Sequence, residues 1–322
     1  MFRTRVVLVV LSVISATMVV ACGVKINTGP KADEGGIVAV PPGQGPGNAV
    51  PGADPVEAKL QRLNGKVKRS GDRPTGAVVE VRLFNQNITD ADLAELATLS
   101  DLRKLDLTGV KVTGTGLAAL SAIPLEELDL AFSGVTNEGL KEVAKFTSLK
   151  ALGLMNASKI TDEGVGDLAA LKNMESLTIG QSPKVKDVGT GRALRGMPHL
   201  QRLDITNSAV GDGAMKALTE CPDLRALRFY GSQVTDTGMG SIGKLTKLEE
   251  LHLNFHITDK GLDRITGLTN LKTFSLYYTS RITYGGLKKM PWLTGLTDLN
   301  LYGASIPAEK LREELPNCNI KP

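Results

Sequence analysis

Three histidines, three cysteines and a recurring aspartate are the residues of this 322-residue chain whose types and spacing raise a question of chemistry. His252 and His256 stand four apart, a spacing that on a helix would turn two imidazoles toward one metal ion. Here they flank the end of a strand-like run, Leu251-His252-Leu253-Asn254-Phe255-His256, so no metal pair is expected. Asp90, Asp162, Asp187, Asp212, Asp236 and Asp259 fall in one column. Calcium would require dense carboxylates around each of them, which the neighbouring positions lack. A carboxylate in the first turn of a helix, favoured by the helix dipole, explains the column without a metal. No H-E-x-x-H, C-x-x-C, P-loop or G-x-S-x-G motif occurs. The expectation is a chain that is not an enzyme, with no metal, no cofactor and no catalytic residues.

The elements that would position any site are set by a repeat. The pattern L-x-x-L-x-L fits ten times between Val78 and Leu301, with starts spaced 24, 23, 24, 25, 26, 24, 24, 23 and 25 residues apart. Leu248/Leu251/Leu253 is one of its clearest copies. A period of this size marks a solenoid, in which each coil buries its apolar face against the next. Other columns stay in phase. After each strand comes a β-branched apolar residue, from Ile88 and Val112 through Val234 and Ile257 to Ile282 and Ile306. Next comes T-D-x-G-L, as in Thr235-Asp236-Thr237-Gly238-Met239 and Thr258-Asp259-Lys260-Gly261-Leu262. Thr is a good N-cap. The glycine should cost a helix about 1 kcal/mol, so its recurrence points to close contact between neighbouring coils. Apolar residues then follow at steps of three, as Leu262/Ile265/Leu268, which implies one or two tight helical turns.

With these motifs the chain resembles the leucine-rich-repeat superfamily, most closely bacterial lipoproteins with repeats of the form LxxLxLxxTxITDxGL, akin to the cysteine-containing subtype. The resemblance covers roughly residues 78–320. It implies an α/β leucine-rich-repeat solenoid, a curved horseshoe of about ten repeats with a parallel concave sheet and short convex helices. The chain departs from the pattern in one column. Where many members carry Asn or Cys it has Ser133, Ser182, Ser208, Ser232 and Thr279, with Gln86, Val110, Ala157 and Ala304 elsewhere. No F-box-like domain precedes the repeats, so the subtype's ubiquitin-ligase role gains no support.

The ends differ from the repeats. Residues 1–21 have two arginines, Arg3 and Arg5, before a 15-residue apolar run, Val6–Val20. That run is short for a membrane span, and the stretch reads as a leader. Val19-Val20-Ala21-Cys22 resembles a lipobox, which implies cleavage before Cys22 and lipid attachment there, anchoring the protein on the outer side of a bacterial membrane. Residues 22–53 are rich in Gly and Pro and form a tether with a reach of roughly 30 Å. Residues 54–77 should cap the first coil with a short helix and a strand. The solenoid proper spans 78–306, and 307–322 should close it with a last helix and strand. Within the solenoid, Asp187-Val188-Gly189-Thr190-Gly191-Arg192 starts a helix poorly and predicts a loop on the convex side.

Cys221 falls in an apolar column and reads as a small buried hydrophobe. Cys318 lies about four coils away, beyond disulfide reach. Net charge is +4 with no basic stripe, so nucleic acid is not expected. What remains is the concave face. Between the leucines one outward column runs Arg228, His252, Ser275, Asn300, and the next runs Tyr230, Asn254, Tyr277, Tyr302. All five tyrosines lie at or beyond position 230. Tyr offers large contact area at low entropic cost. Arg228, Tyr230, His252, Asn254, Tyr277 and Tyr302 are therefore the expected partner-binding patch, with Phe255 and Tyr278 at its rim. Trp292 is read as convex packing. The function expected is a monomeric, lipid-anchored, extracytoplasmic scaffold of the cell envelope that binds a protein on its concave face. The alternative is a carbohydrate-binding envelope module that uses the same aromatic side chains.

Overall fold

The computed structural model describes residues 60, 63, 65–72, 76–83 and 87–322. The leader 1–21, Cys22, the tether 22–53, most of the first cap helix, Phe84 and Gln86 lie outside the described residues. The chain divides into two units, Met1–Gly35 and Gly36–Pro322, and the description concerns the second.

Twelve strands form one sheet in sequence order. They are β1 (Lys66–Arg69), β2 (Val78–Arg82), β3 (Lys104–Asp106), β4 (Glu127–Asp129), β5 (Ala151–Gly153), β6 (Ser176–Thr178), β7 (Arg202–Asp204), β8 (Ala226–Arg228), β9 (Glu250–His252), β10 (Thr273–Ser275), β11 (Asp298–Asn300) and β12 (Asn319–Lys321). β1 runs antiparallel to β2 as a cap, and every later neighbour is parallel. The chain is an α/β leucine-rich-repeat solenoid whose sheet does not close on itself.

In each triplet the middle residue points into the core. Leu227, Leu251, Phe274 and Leu299 pair in one line across β8 to β11, all buried. The β-branched column is buried throughout, from Ile88 to Ile306. So are the step-of-three residues Leu262, Ile265 and Leu268. Trp292 is buried on the helix side, where its Nε1 donates to the Ile265 carbonyl at 3.0 Å and its ring meets Phe274 edge-on. Cys221 packs in the same core, and burial pushes its thiol up to about 12.

The T-D-x-G-L motif closes the coils onto one another. Thr235, Thr258 and Thr283 cap their own helices, as at the 3.0 Å bond from the Gly286 amide to Thr283 Oγ1. The aspartates stand in the first turns of their helices, as expected, and there they do a further job. Each carboxylate reaches the following coil rather than its own helix. Asp212 accepts from the Thr235 amide at 2.8 Å, the Thr235 hydroxyl at 2.6 Å and the Gly238 amide at 2.9 Å. Asp236 holds Thr258, and Asp259 holds Thr283, in the same way. In the third coil Asn137 replaces the carboxylate and bonds both the amide and the hydroxyl of Thr161. The glycine follows from this closeness. A Cβ on Gly238 would stand 2.5 Å from Asp212 Oδ1, inside contact distance.

One expectation on this side fails. Asp187–Arg195 is a nine-residue α-helix, not a loop. Gly189 and Gly191 are buried in it, and a Cβ on Gly189 would overlap the Asp162 carbonyl. Packing against the previous coil demands glycine there and overrides its poor propensity.

Candidate functional site

The strand face carries two outward columns from each triplet. The third residues run Arg82, Asp106, Asp129, Gly153, Thr178, Asp204, Arg228, His252, Ser275 and Asn300, paired in register as expected. The first residues form a second column that the sequence reading passed over. It includes Glu127, Ala151, Arg202, Ala226, Glu250 and Asp298. Glu250 is its most consequential member. Its Oε1 accepts from Arg228 Nε at 2.5 Å, and His252 Nε2 lies 2.9 Å from the same atom. Burial opposes the ionised carboxyl, but the bonds from His252 and Arg228 prevail and hold Glu250 at about 2. Arg228 and His252 therefore enter the surface as parts of a neutralised cluster.

Past β3 to β8, β10 and β11 the backbone turns through a left-handed residue. Gly109, Gly231 and Gly303 take this position in three coils, with φ near 70°. Phe132, Asn156, Gln181, Asn207 and Tyr278 take it in others, with φ of 53–57°. A side chain there costs about 1 kcal/mol or more relative to glycine. The coil that holds Asn254 has no such residue. Leu251 to Ile257 spans six steps, where Leu227 to Val234 spans seven. The deleted step moves Asn254 out of the tyrosine column and into the column of Ser133, Ser208 and Ser232.

Asn254 is consequently buried, not displayed. Its Nδ2 donates to the Ser232 carbonyl at 3.0 Å and the Val234 carbonyl at 2.9 Å, and its Oδ1 accepts from the His256 amide. It is the coil's structural asparagine, and it leaves the expected binding patch.

Its inward turn clears space on the surface. Tyr230 and Tyr277 follow β8 and β10, two strands or about 9.6 Å apart. Their ring centroids nevertheless stand 4.9 Å apart, edge to face, with Asn254 of the intervening coil buried. Tyr277 then stacks on Tyr302, with centroids 5.4 Å apart and planes 15° apart. Tyr278 meets both rings edge-on. Phe255 touches Tyr230 and His256. Tyr302 is 51% exposed, Phe255 41% and Tyr278 38%. The result is one aromatic stripe across the last coils, beside the Arg228–Glu250–His252 cluster. Rings meeting this way gain about 0.5–1.5 kcal/mol per pair beyond burial, so the stripe is pre-arranged. Of the six residues expected to form the patch, Tyr230, Tyr277 and Tyr302 are brought together. Arg228 and His252 lie beside them, and Asn254 does not belong. The six-step spacing was the signal that set Asn254 apart.

Among the described residues no group of His, Cys, Asp or Glu is arranged to hold a metal, and no helix is long and apolar enough to cross a membrane.

Two stretches, residues 123–144 and 196–218, match the family model described as Leucine Rich repeat. A search of curated proteins found no match. Among solved structures the chain is similar to internalin C2 of Listeria monocytogenes strain 4b F2365, at 28% identity and a TM-score of 0.51, over 60% of this chain and 78% of that one. It is similar to the internalin inlF of the same strain at 18% identity and a TM-score of 0.51, over 84% of this chain and 95% of that one. A TDR receptor gives 16% identity and a TM-score of 0.50, over 76% of this chain and 46% of that one. The last two likenesses concern the fold alone.

Proposed function

We propose that this chain, a leucine-rich-repeat protein by its repeat sequence and its fold, is a non-catalytic scaffold that binds a protein partner on its strand face. The observation that carries this reading is the aromatic stripe. Five aromatic side chains, Tyr230, Phe255, Tyr277, Tyr278 and Tyr302, form one connected surface. Exposed contiguous apolar area of this kind marks interaction sites. Leucine-rich repeats commonly serve as protein-binding scaffolds, which supports the choice of partner class.

The second half of the proposal is its address. The Val19-Val20-Ala21-Cys22 sequence supports lipid attachment at Cys22, which would hold the solenoid outside the cytoplasm at the bacterial envelope. Replacing Cys22 by Ser should abolish incorporation of labelled fatty acid and move the protein from the detergent to the aqueous phase. Retention of label would overturn the anchor.

The binding half is tested by cross-linking and capture from solubilised envelope. Wild type is compared with the variant Tyr230→Ala, Tyr277→Ala, Tyr302→Ala, once both are shown to melt alike. A partner held only by wild type is expected. The same proteins on both baits would remove the stripe from the proposal. A soluble-glycan array tests the carbohydrate alternative, and a sugar bound by wild type and not by the variant would replace the protein partner.

A further inference from the structure

Resting on the strand-face reading above, we infer that the partner is a protein segment that crosses the strands, cationic at one end and apolar at the other. The apolar end meets the tyrosines, and the cationic end lies over Asp106 and Asp129.

The two ends of the strand face differ in charge balance. Around the tyrosines Glu250 is paired with Arg228, and the remaining carboxylate, Asp298, accepts hydrogen bonds from Asn319 and Thr297. That end suits a neutral, apolar contact. Asp106 and Asp129 sit side by side on β3 and β4, facing the same way. They accept backbone amides from Thr108 and Ala131. The cations that share their face, Arg82 and Lys104, are paired with Glu80 and Glu127. Among the described residues no cation lies within ion-pair distance of either carboxylate. Burial, and the neighbouring Asp106 charge after it, raise Asp129 from its ordinary value, and an incoming cation would offset that neighbouring charge.

Next to the acidic end the floor is low. The outward residues of β5 and β6 are Ala151, Gly153, Ser176 and Thr178, before Arg202 and Asp204 rise on β7. The Asp129 carboxylate leans over Gly153, where a Cβ would stand 2.5 Å from Oδ1. A backbone can approach closely across these coils. From β4 to the tyrosines after β8 and β10 is about 19–29 Å at the usual strand spacing, which an extended chain covers in about six to nine residues.

The test is selection from a random peptide library on the full chain, at low and high salt. Enriched peptides should carry Lys or Arg about six to nine residues from a large apolar group. Tyr277→Ala should weaken them at least tenfold. Asp106→Asn with Asp129→Asn keeps both amide contacts and should weaken them about five- to tenfold at low salt, an effect that fades at high salt. Enriched peptides that need Tyr277, lack a cation and ignore the double Asn variant would overturn this inference and leave the stripe intact. Peptides indifferent to Tyr277, or no enrichment at all, would overturn the stripe reading itself.

Discussion

The two sides of each coil use polar and aromatic residues in opposite ways. On the helix side the Thr–Asp–x–Gly motif is complete in three coils, at Thr161, Thr235 and Thr258, and where the carboxylate is present it is consumed by the next coil, as Asp212 is by Thr235 and Gly238. On the strand face the outward residues change from coil to coil. Acidic side chains dominate near β3 and β4, small ones follow, and rings fill the last four coils. A residue that must touch the next coil is constrained by that contact, as Asn137, which keeps both bonds to Thr161, shows. A residue that faces outward is free to vary, and the non-repeating pattern is where a partner can be specified.

The comparison can be broken most severely in the core the two sides share. Leu251→Ala should cost about 2–5 kcal/mol in urea unfolding, because the closely packed coils on each side cannot collapse into the space. Asp212→Ala should cost about 2–3 kcal/mol, through three lost charge-assisted bonds, and leave partner binding intact. An unchanged melting temperature would mean that the inter-coil bonds are not the helix-side clamp. Next is pH. Glu250 has its carboxyl depressed to about 2 from its ordinary 4.5. Its contribution is therefore fully present above the unfolded value and lost as pH falls from about 4.5 toward about 2. Discounted for partial exposure this is about 2 kcal/mol, and it should vanish from the difference between pH 6 and pH 3 stability in Glu250→Gln. Tyr277→Ala removes three ring contacts and should cost about 2–4 kcal/mol in folding while weakening the partner at least tenfold, whereas Asp212→Ala leaves the partner bound. The smallest effect is a gain. Phe132 stands at φ 57° and is 40% exposed, so Phe132→Gly should stabilise by up to about 1 kcal/mol. A loss instead would show that the exposed ring packs more than it strains.

Much of this was legible in one dimension. The spacing of Leu251, Leu253 and Ile257 located core positions, and recurrence of Gly238 and Gly261 signalled close coils. The helix Asp187–Arg195 was not legible. Two glycines argue against a helix locally, and the neighbouring Asp162 carbonyl explains why one of them, Gly189, is there. Glu250 was missed because its role depends on Arg228, which is 22 residues away in sequence and one strand away in space. Asn254 was misplaced because side-chain direction was extrapolated from the neighbouring coils across a one-residue deletion.

The sequence by itself determined the solenoid, because a repeated apolar pattern can be buried only by stacking coils in order. It also determined where aromatic residues collect. The tertiary structure alone decided which outward residues meet. A missing residue turned Asn254 inward, and that let Tyr230 reach Tyr277 across the coil between them. Contacts between coils depend on the exact length of each turn, and a periodic average of the sequence removes that information.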